Sequence, residues 1–298
     1  MSRFWSAFWT VAGFLFLMGL LQMIADTVVI LFGVVPLFLG GQSEWLIAIS
    51  RVAVPIWGAL IWGDWKWGWK SDNAGLRTTP AALFWLVPGL LGGLLAGGLA
   101  LLISQGGSLS LPALKLGPEV LAATLVAMAA AFATELIFRG MVISRLQYDL
   151  AGQQLLLLAL GMPLAWEFIQ AVIGRVLFIY PVPDPDIFGA GTVALSLFLT
   201  LLFLRTDSVW LTAGVRMGLA LLSGLLGVGG GLSDLRLPIP HLTGLGETGL
   251  LVVFGIPAAV LLALELSRLN RLRRPPGPRR GPQRVVHGKT VRGPWGPH

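Results

Sequence analysis

The chain has 298 residues, of which 55% are hydrophobic and only 12% charged, with a mean hydropathy of +0.81; soluble domains carry about 25% charged residues, so the composition excludes a soluble globular protein and leaves the function in or at a bilayer. The absence of cysteine excludes disulfides and thiolate metal sites. The three histidines, His241, His287 and His298, all lie outside the hydrophobic segments, and the formal net charge of +7 gathers at one end of the chain.

Runs of near-membrane length recur along the sequence and predict an all-α, polytopic membrane bundle of about eight transmembrane helices. The first span, Phe4 to Val35, follows Arg3 and contains Asp26. It is too long for a signal peptide, and no small-x-small cleavage site follows it, so an uncleaved span is expected. The second, Trp45 to Trp62, contains Arg51 and runs into a loop where Trp62, Trp65, Trp67 and Trp69 alternate with Asp64, Lys66 and Lys70. Such a mixture reads as an interfacial aromatic belt with basic anchors. The third span, Pro80 to Ile103, repeats glycine at Gly89, Gly93 and Gly97, a spacing that lets two helices approach closely in lipid.

The fourth span covers Pro118 to Leu146, and the fifth, Gln154 to Phe178, carries Glu167, Gln170 and Arg175. Pro181 to Asp186 is a loop by composition. Spans six and seven, Gly191 to Leu204 and Val209 to Gly227, are joined by the short polar turn Arg205 to Ser208. A Gly/Pro-rich loop from Gly227 to Pro240 precedes span eight, Thr248 to Leu269. Two domains result: a helical membrane domain over 1–270, and a Pro/Gly/Arg-rich tail over 271–298 that has no apolar period and is expected to be disordered.

Arg268, Arg271, Arg273, Arg274, Arg279, Arg280, Arg284, Lys289 and Arg292 crowd the C-terminus, so that end is expected in the cytoplasm, and an even span count brings the N-terminus there too. The loop with Lys66, Lys70 and Arg77 falls on the same side and the Asp184/Asp186 loop on the other. The expected location is the cell membrane. The tail is expected to touch anionic lipid, and no nucleic-acid partner is expected.

The chemistry concentrates in span four. Glu135 and Arg139 stand four residues apart inside an apolar run, which puts both on one helix face. Each charge at mid-bilayer costs roughly 2.5–3.5 kcal/mol even on the lenient insertion scale, so the pair is expected to face a bundle interior or a wet cavity. With Glu167, Arg175 and Arg216 it can form a buried ion-pair network between spans four, five and seven. The same charges can instead line a cavity for a peptide terminus or a lipid headgroup.

Glu135-Leu-Ile-Phe-Arg139-Gly140 resembles the Glu-Glu-x-x-Phe-Arg-Gly signature of the CAAX protease and bacteriocin-processing (CPBP, or Abi) family of intramembrane metalloproteases. Ala74-Gly75-Leu76-Arg77 resembles the Gly-Leu-Arg segment that often precedes that family's core. Leu202-Phe-Leu-Arg-Thr-Asp-Ser-Val-Trp210-Leu-Thr-Ala-Gly-Val-Arg216 resembles its turn and following helix, usually Leu-Arg-Thr-Gly-Ser-Leu-Trp and then His-x-x-x-Asn.

The resemblance implies hydrolysis of prenylated or membrane-embedded peptides. A Glu of the signature activates water, and two His and an Asn complete a metal or oxyanion site. Residue by residue, the first Glu falls on Thr134, while the second Glu and the Arg are Glu135 and Arg139. One His falls on Gln170, through Trp166-Glu-Phe-Ile-Gln170, with Glu167 beside it. The other His falls on Arg216 and the Asn on Ala220.

The usual base, both His and the Asn are thus replaced. A catalytic zinc takes three ligands drawn largely from His, Cys and carboxylates, so no metal or other cofactor is expected unless the family mechanism survives. The expectation is a CPBP-like protein that binds a hydrophobic or lipidated peptide, or a membrane-protein partner, through Glu167, Gln170 and Arg216. The alternative is an atypical active endopeptidase with Glu135 as base and Arg216 as oxyanion clamp. A small-molecule transporter lined by Asp26, Arg51 and Glu167 ranks last, because paired interrupted half-helices are not evident.

Overall fold

The computed structural model describes residues 2–34, 53, 56–62, 83–107, 117–150, 152–176, 190–226, 245–273, 284–286 and 289–291. The helices are α1 (Ser2–Val34), α2 (Leu86–Ser104), α3 (Pro118–Glu135), a π-helical segment (Leu136–Ile143), α4 (Ser144–Asp149), α5 (Gln153–Val176), α6 (Ala190–Thr206), α7 (Val209–Leu226) and α8 (Glu247–Arg273). α3, the π segment and α4 form one continuous rod. Five stretches are long and apolar enough to cross a bilayer: Arg3–Ala25, Leu86–Ser104, Thr124–Gln147, Val209–Leu226 and Glu247–Arg268. α5 and α6 add the shorter apolar stretches Gln153–Trp166 and Ala190–Thr206. These coincide with expected spans one and three to eight; of the second, only 53 and 56–62 are described. The protein is an all-α membrane helix bundle.

The chain divides into two compact units, Met1–Leu261 and Leu262–His298. In the second, α8 runs on to Arg273, and a short antiparallel ladder pairs Arg284–Val286 (β1) with Lys289–Val291 (β2) within the tail.

In the first unit α7 is the central element, packed between α2 and α3. Lipid offers no hydrophobic drive for helices to associate, so close backbone approach through small residues supplies the contact. A Cβ on Gly89 would meet the Leu211 carbonyl and the Gly214 Cα, and one on Gly93 would meet the Val215 backbone. On the facing helix, Gly214 and Gly218 lie against the backbone of Leu86, Leu90 and Leu94. The glycine repeat of α2 thus fits a matching pair on α7. On the α3 side, Ala127 and Ala131 pack on Ala220, and Gly224 abuts Thr124.

The turn into α7 has its own local logic. Asp207 takes a left-handed conformation (φ 51°) and its N–H donates to Phe203 O at 2.7 Å, closing α6. Ser208 Oγ then accepts from Leu211 N at 3.3 Å and caps the start of α7. At the other end of α6, Glu247 at the head of α8 accepts from Gly191 N (2.7 Å) and Thr192 Oγ1 (3.4 Å), placing a carboxylate on the positive end of that helix. α1, the 56–62 stretch and α5 cover the π segment in one apolar cluster that includes Phe14, Met18, Phe138, Val142, Trp166 and Phe203.

Candidate functional site

Glu135 is the last residue of α3, and the rod widens immediately after it. Over Leu136–Ile143 the backbone bonds run in the π pattern: Ser144 N–H reaches back to Arg139 O, and Ser144 Oγ also donates there at 3.1 Å. Single π turns inside α-helices occur frequently at functional sites. Residues Ile137 to Ile143 are all buried, so this irregular backbone is surrounded by protein.

Arg139 lies in the middle of the π segment with a fully buried guanidinium. Its Nη1 donates to Glu135 Oε1 at 2.6 Å. Its Nη2 donates to Ser196 O at 3.1 Å and to Thr200 Oγ1 at 3.2 Å on α6. Thr200 Oγ1 in turn donates to Ser196 O at 2.9 Å. From α7, Arg216 Nη1 reaches the same Glu135 Oε1 at 3.2 Å. One carboxylate oxygen therefore receives two guanidinium groups from two helices. The other, Glu135 Oε2, is buried and has no hydrogen-bond partner.

The approach of Arg216 depends on the small residues around it. Ala131 and Ala220, each four residues from its charged neighbour, touch where α3 meets α7 and bring the two helices close. Among the expected site residues, Glu135, Arg139 and Arg216 converge. Thr134 is half-buried, and its hydroxyl donates to Ala130 O at 2.8 Å on its own helix. Ala220 is buried and apolar in its contacts. Glu167 and Gln170 lie on α5, but their side chains, like those of Arg175 and Asp26, are outside the described residues, as is Arg51.

Ser196 and Thr200 were not expected in the site. The available signal was a repeat, Thr192, Ser196 and Thr200, which lays hydroxyls every four residues along one face of α6.

A divalent metal is part of the chemistry that the resemblance implies, and such an ion needs several ligating side chains around it. Among the described residues, no three His, Cys, Asp or Glu side chains come together. The donors converging on Glu135 are guanidinium nitrogens, which are cationic and cannot ligate a metal ion. The described arrangement does not fit a divalent cation. What it does provide is a desolvated carboxylate held in place by two cations, with Arg139 pinned further by α6.

Fold and site together define a polytopic membrane protein with an ionic cluster buried on a widened helix. Residues 116–222 match the family model for type II CAAX prenyl endopeptidase Rce1-like proteins. That stretch is about a third of the chain, contains the whole cluster, and is what the chain shares with those proteins. No curated protein and no solved structure matches the chain.

Proposed function

We propose that this protein uses the CPBP-type bundle to bind, rather than cleave, a hydrophobic or lipidated peptide or a membrane-protein partner. The observation that carries the reading is the double engagement of Glu135 Oε1 by Arg139 and Arg216. A carboxylate base must reach the proton it abstracts at hydrogen-bonding distance, and here that oxygen faces two guanidinium groups. Thr134, in place of the signature's first Glu, turns its hydroxyl back to its own helix. The reading sets the basic C-terminal end and Arg3 on the cytoplasmic side of the cell membrane, with 271–298 as a basic tail in contact with lipid.

The test is incubation of the purified full chain with farnesylated and transmembrane peptides, with Glu135→Gln as control. Expected are peptide capture and no turnover. Turnover abolished by Glu135→Gln overturns the reading and supports an atypical endopeptidase instead. The open lone pairs of Glu135 Oε2 are what favour that second reading.

A further inference from the structure

The buried cluster is not electrically balanced by its own three members. Glu135 brings one negative charge, and Arg139 and Arg216 bring two positive ones. A surplus charge at mid-bilayer is costly, so a further carboxylate within reach stabilises the whole. Among the described acidic side chains of the first unit, Asp149 is exposed and paired with Arg145, and Asp207 is exposed at the turn into α7. Glu247 differs from both. It is partly buried and bound to α6, the helix that also holds Arg139.

α6 joins the two charges in a favourable direction. At its head, Gly191 N and Thr192 Oγ1 donate to the Glu247 carboxylate. Further along, Ser196 O and Thr200 Oγ1 accept from Arg139. The peptide units in between therefore turn their N–H ends to the anion and their C=O ends to the cation. Thr192, Ser196 and Thr200 are all buried, so this stretch is shielded from water. Thr192 to Thr200 covers about 12 Å of helix axis at 1.5 Å per residue. Glu247 is also held in place: Gly191 lies against its carbonyl and Leu250, and Gly249 N donates to Ser104 Oγ at 3.0 Å.

We propose that Glu247 is the remote counter-charge of the buried cluster, a positioning residue that acts on it through the first turns of α6. Two unit charges about 12 Å apart, at an effective dielectric near 20, shift an equilibrium about tenfold. That attraction is to the surplus positive charge, so it vanishes when the surplus is removed. The inference is independent of whether the cluster binds or cleaves peptides.

Glu247→Gln removes the charge and keeps an acceptor for Gly191 and Thr192. Reversible unfolding of the full chain in mixed micelles measures its effect in the native chain and beside Arg216→Lys or Arg216→Met. Losing the carboxylate from the heads of α6 and α8 is expected to weaken folding about two- to fivefold in every case. Losing the counter-charge adds about tenfold in the native chain and beside Arg216→Lys, and nothing beside Arg216→Met. An equal effect in all of them overturns the proposal, because it describes a helix cap alone. If Glu247→Gln does not fold by itself, recovery of folding on adding Arg216→Met supports the proposal, and no recovery overturns it.

Discussion

Glu135→Gln isolates the charge of the buried cluster, because the amide keeps an acceptor of nearly the same shape. In the native protein the carboxylate offsets both Arg139 (2.6 Å) and Arg216 (3.2 Å), with neither Glu135 nor Arg139 exposed. Each pair, taken at about 4 Å between charge centres and an effective dielectric near 20, is worth about 4 kcal/mol before desolvation. Removing one partner of a buried pair costs about 3–5 kcal/mol, because the other charge is left uncompensated. Here two guanidinium groups lose their counter-charge. Arg139 still has Ser196 O and Thr200 Oγ1, which holds the expected loss to about 3–5 kcal/mol instead of twice that.

The companion variant replaces all three residues, Glu135→Leu with Arg139→Met and Arg216→Met. A buried ion triad exchanged for apolar side chains is often neutral or stabilising. α6 is not stranded by the change, since Thr200 already donates to Ser196 O. The triple variant is expected within about 2 kcal/mol of the native chain. The assay is reversible unfolding in mixed micelles followed by circular dichroism, with peptide capture measured in parallel; the triple variant is expected to fold and to lose capture. A cost below about 1 kcal/mol for Glu135→Gln, or a triple cost equal to the sum of the singles, would refute the reasoning, since both outcomes describe charges that do not depend on one another.

Two further predictions use the same unfolding measurement. Gly93→Ala drives a methyl into the Val215 backbone and is expected to cost about 1–3 kcal/mol. Gly92→Ala meets open space one residue earlier and is expected to be neutral or to gain about 0.5–1 kcal/mol; similar effects at both positions would remove the glycine contact from the account of α2 and α7. At the turn into α7, Asp207→Gly is expected to gain about 0.5 kcal/mol by relieving a left-handed backbone, and Ser208→Ala to lose about 1 kcal/mol with its cap. The opposite sign at Asp207 would mean that its side chain contributes more than its backbone costs.

The parts of this protein that could be read from sequence are those whose physics is local. Glu135 and Arg139 declare their pairing by spacing alone, and the apolar runs mark the helices to within a few residues. Arg216 stood out as a charge in an apolar span, but nothing within its own helix names which of the buried charges is its partner. The α6 hydroxyls had no comparable signal. Serine and threonine are tolerated in apolar helices for many reasons, and the bond from Arg139 to Thr200 crosses 61 residues of chain. The π segment was equally hidden, since no residue type marks a switch from one bonding register to another.

The α2 repeat was legible as a packing seam but not as a pair. Gly214 and Gly218 show the same spacing on α7, and only the contact tells which seam meets which. The consequence reaches the site. α7 is fixed by its backbone against α2 on one side and by Ala220 against α3 on the other. Arg216 is therefore delivered to Glu135 by glycines and alanines that carry no charge. The small residues set the helix separation, and the Arg216 side chain has only to span it.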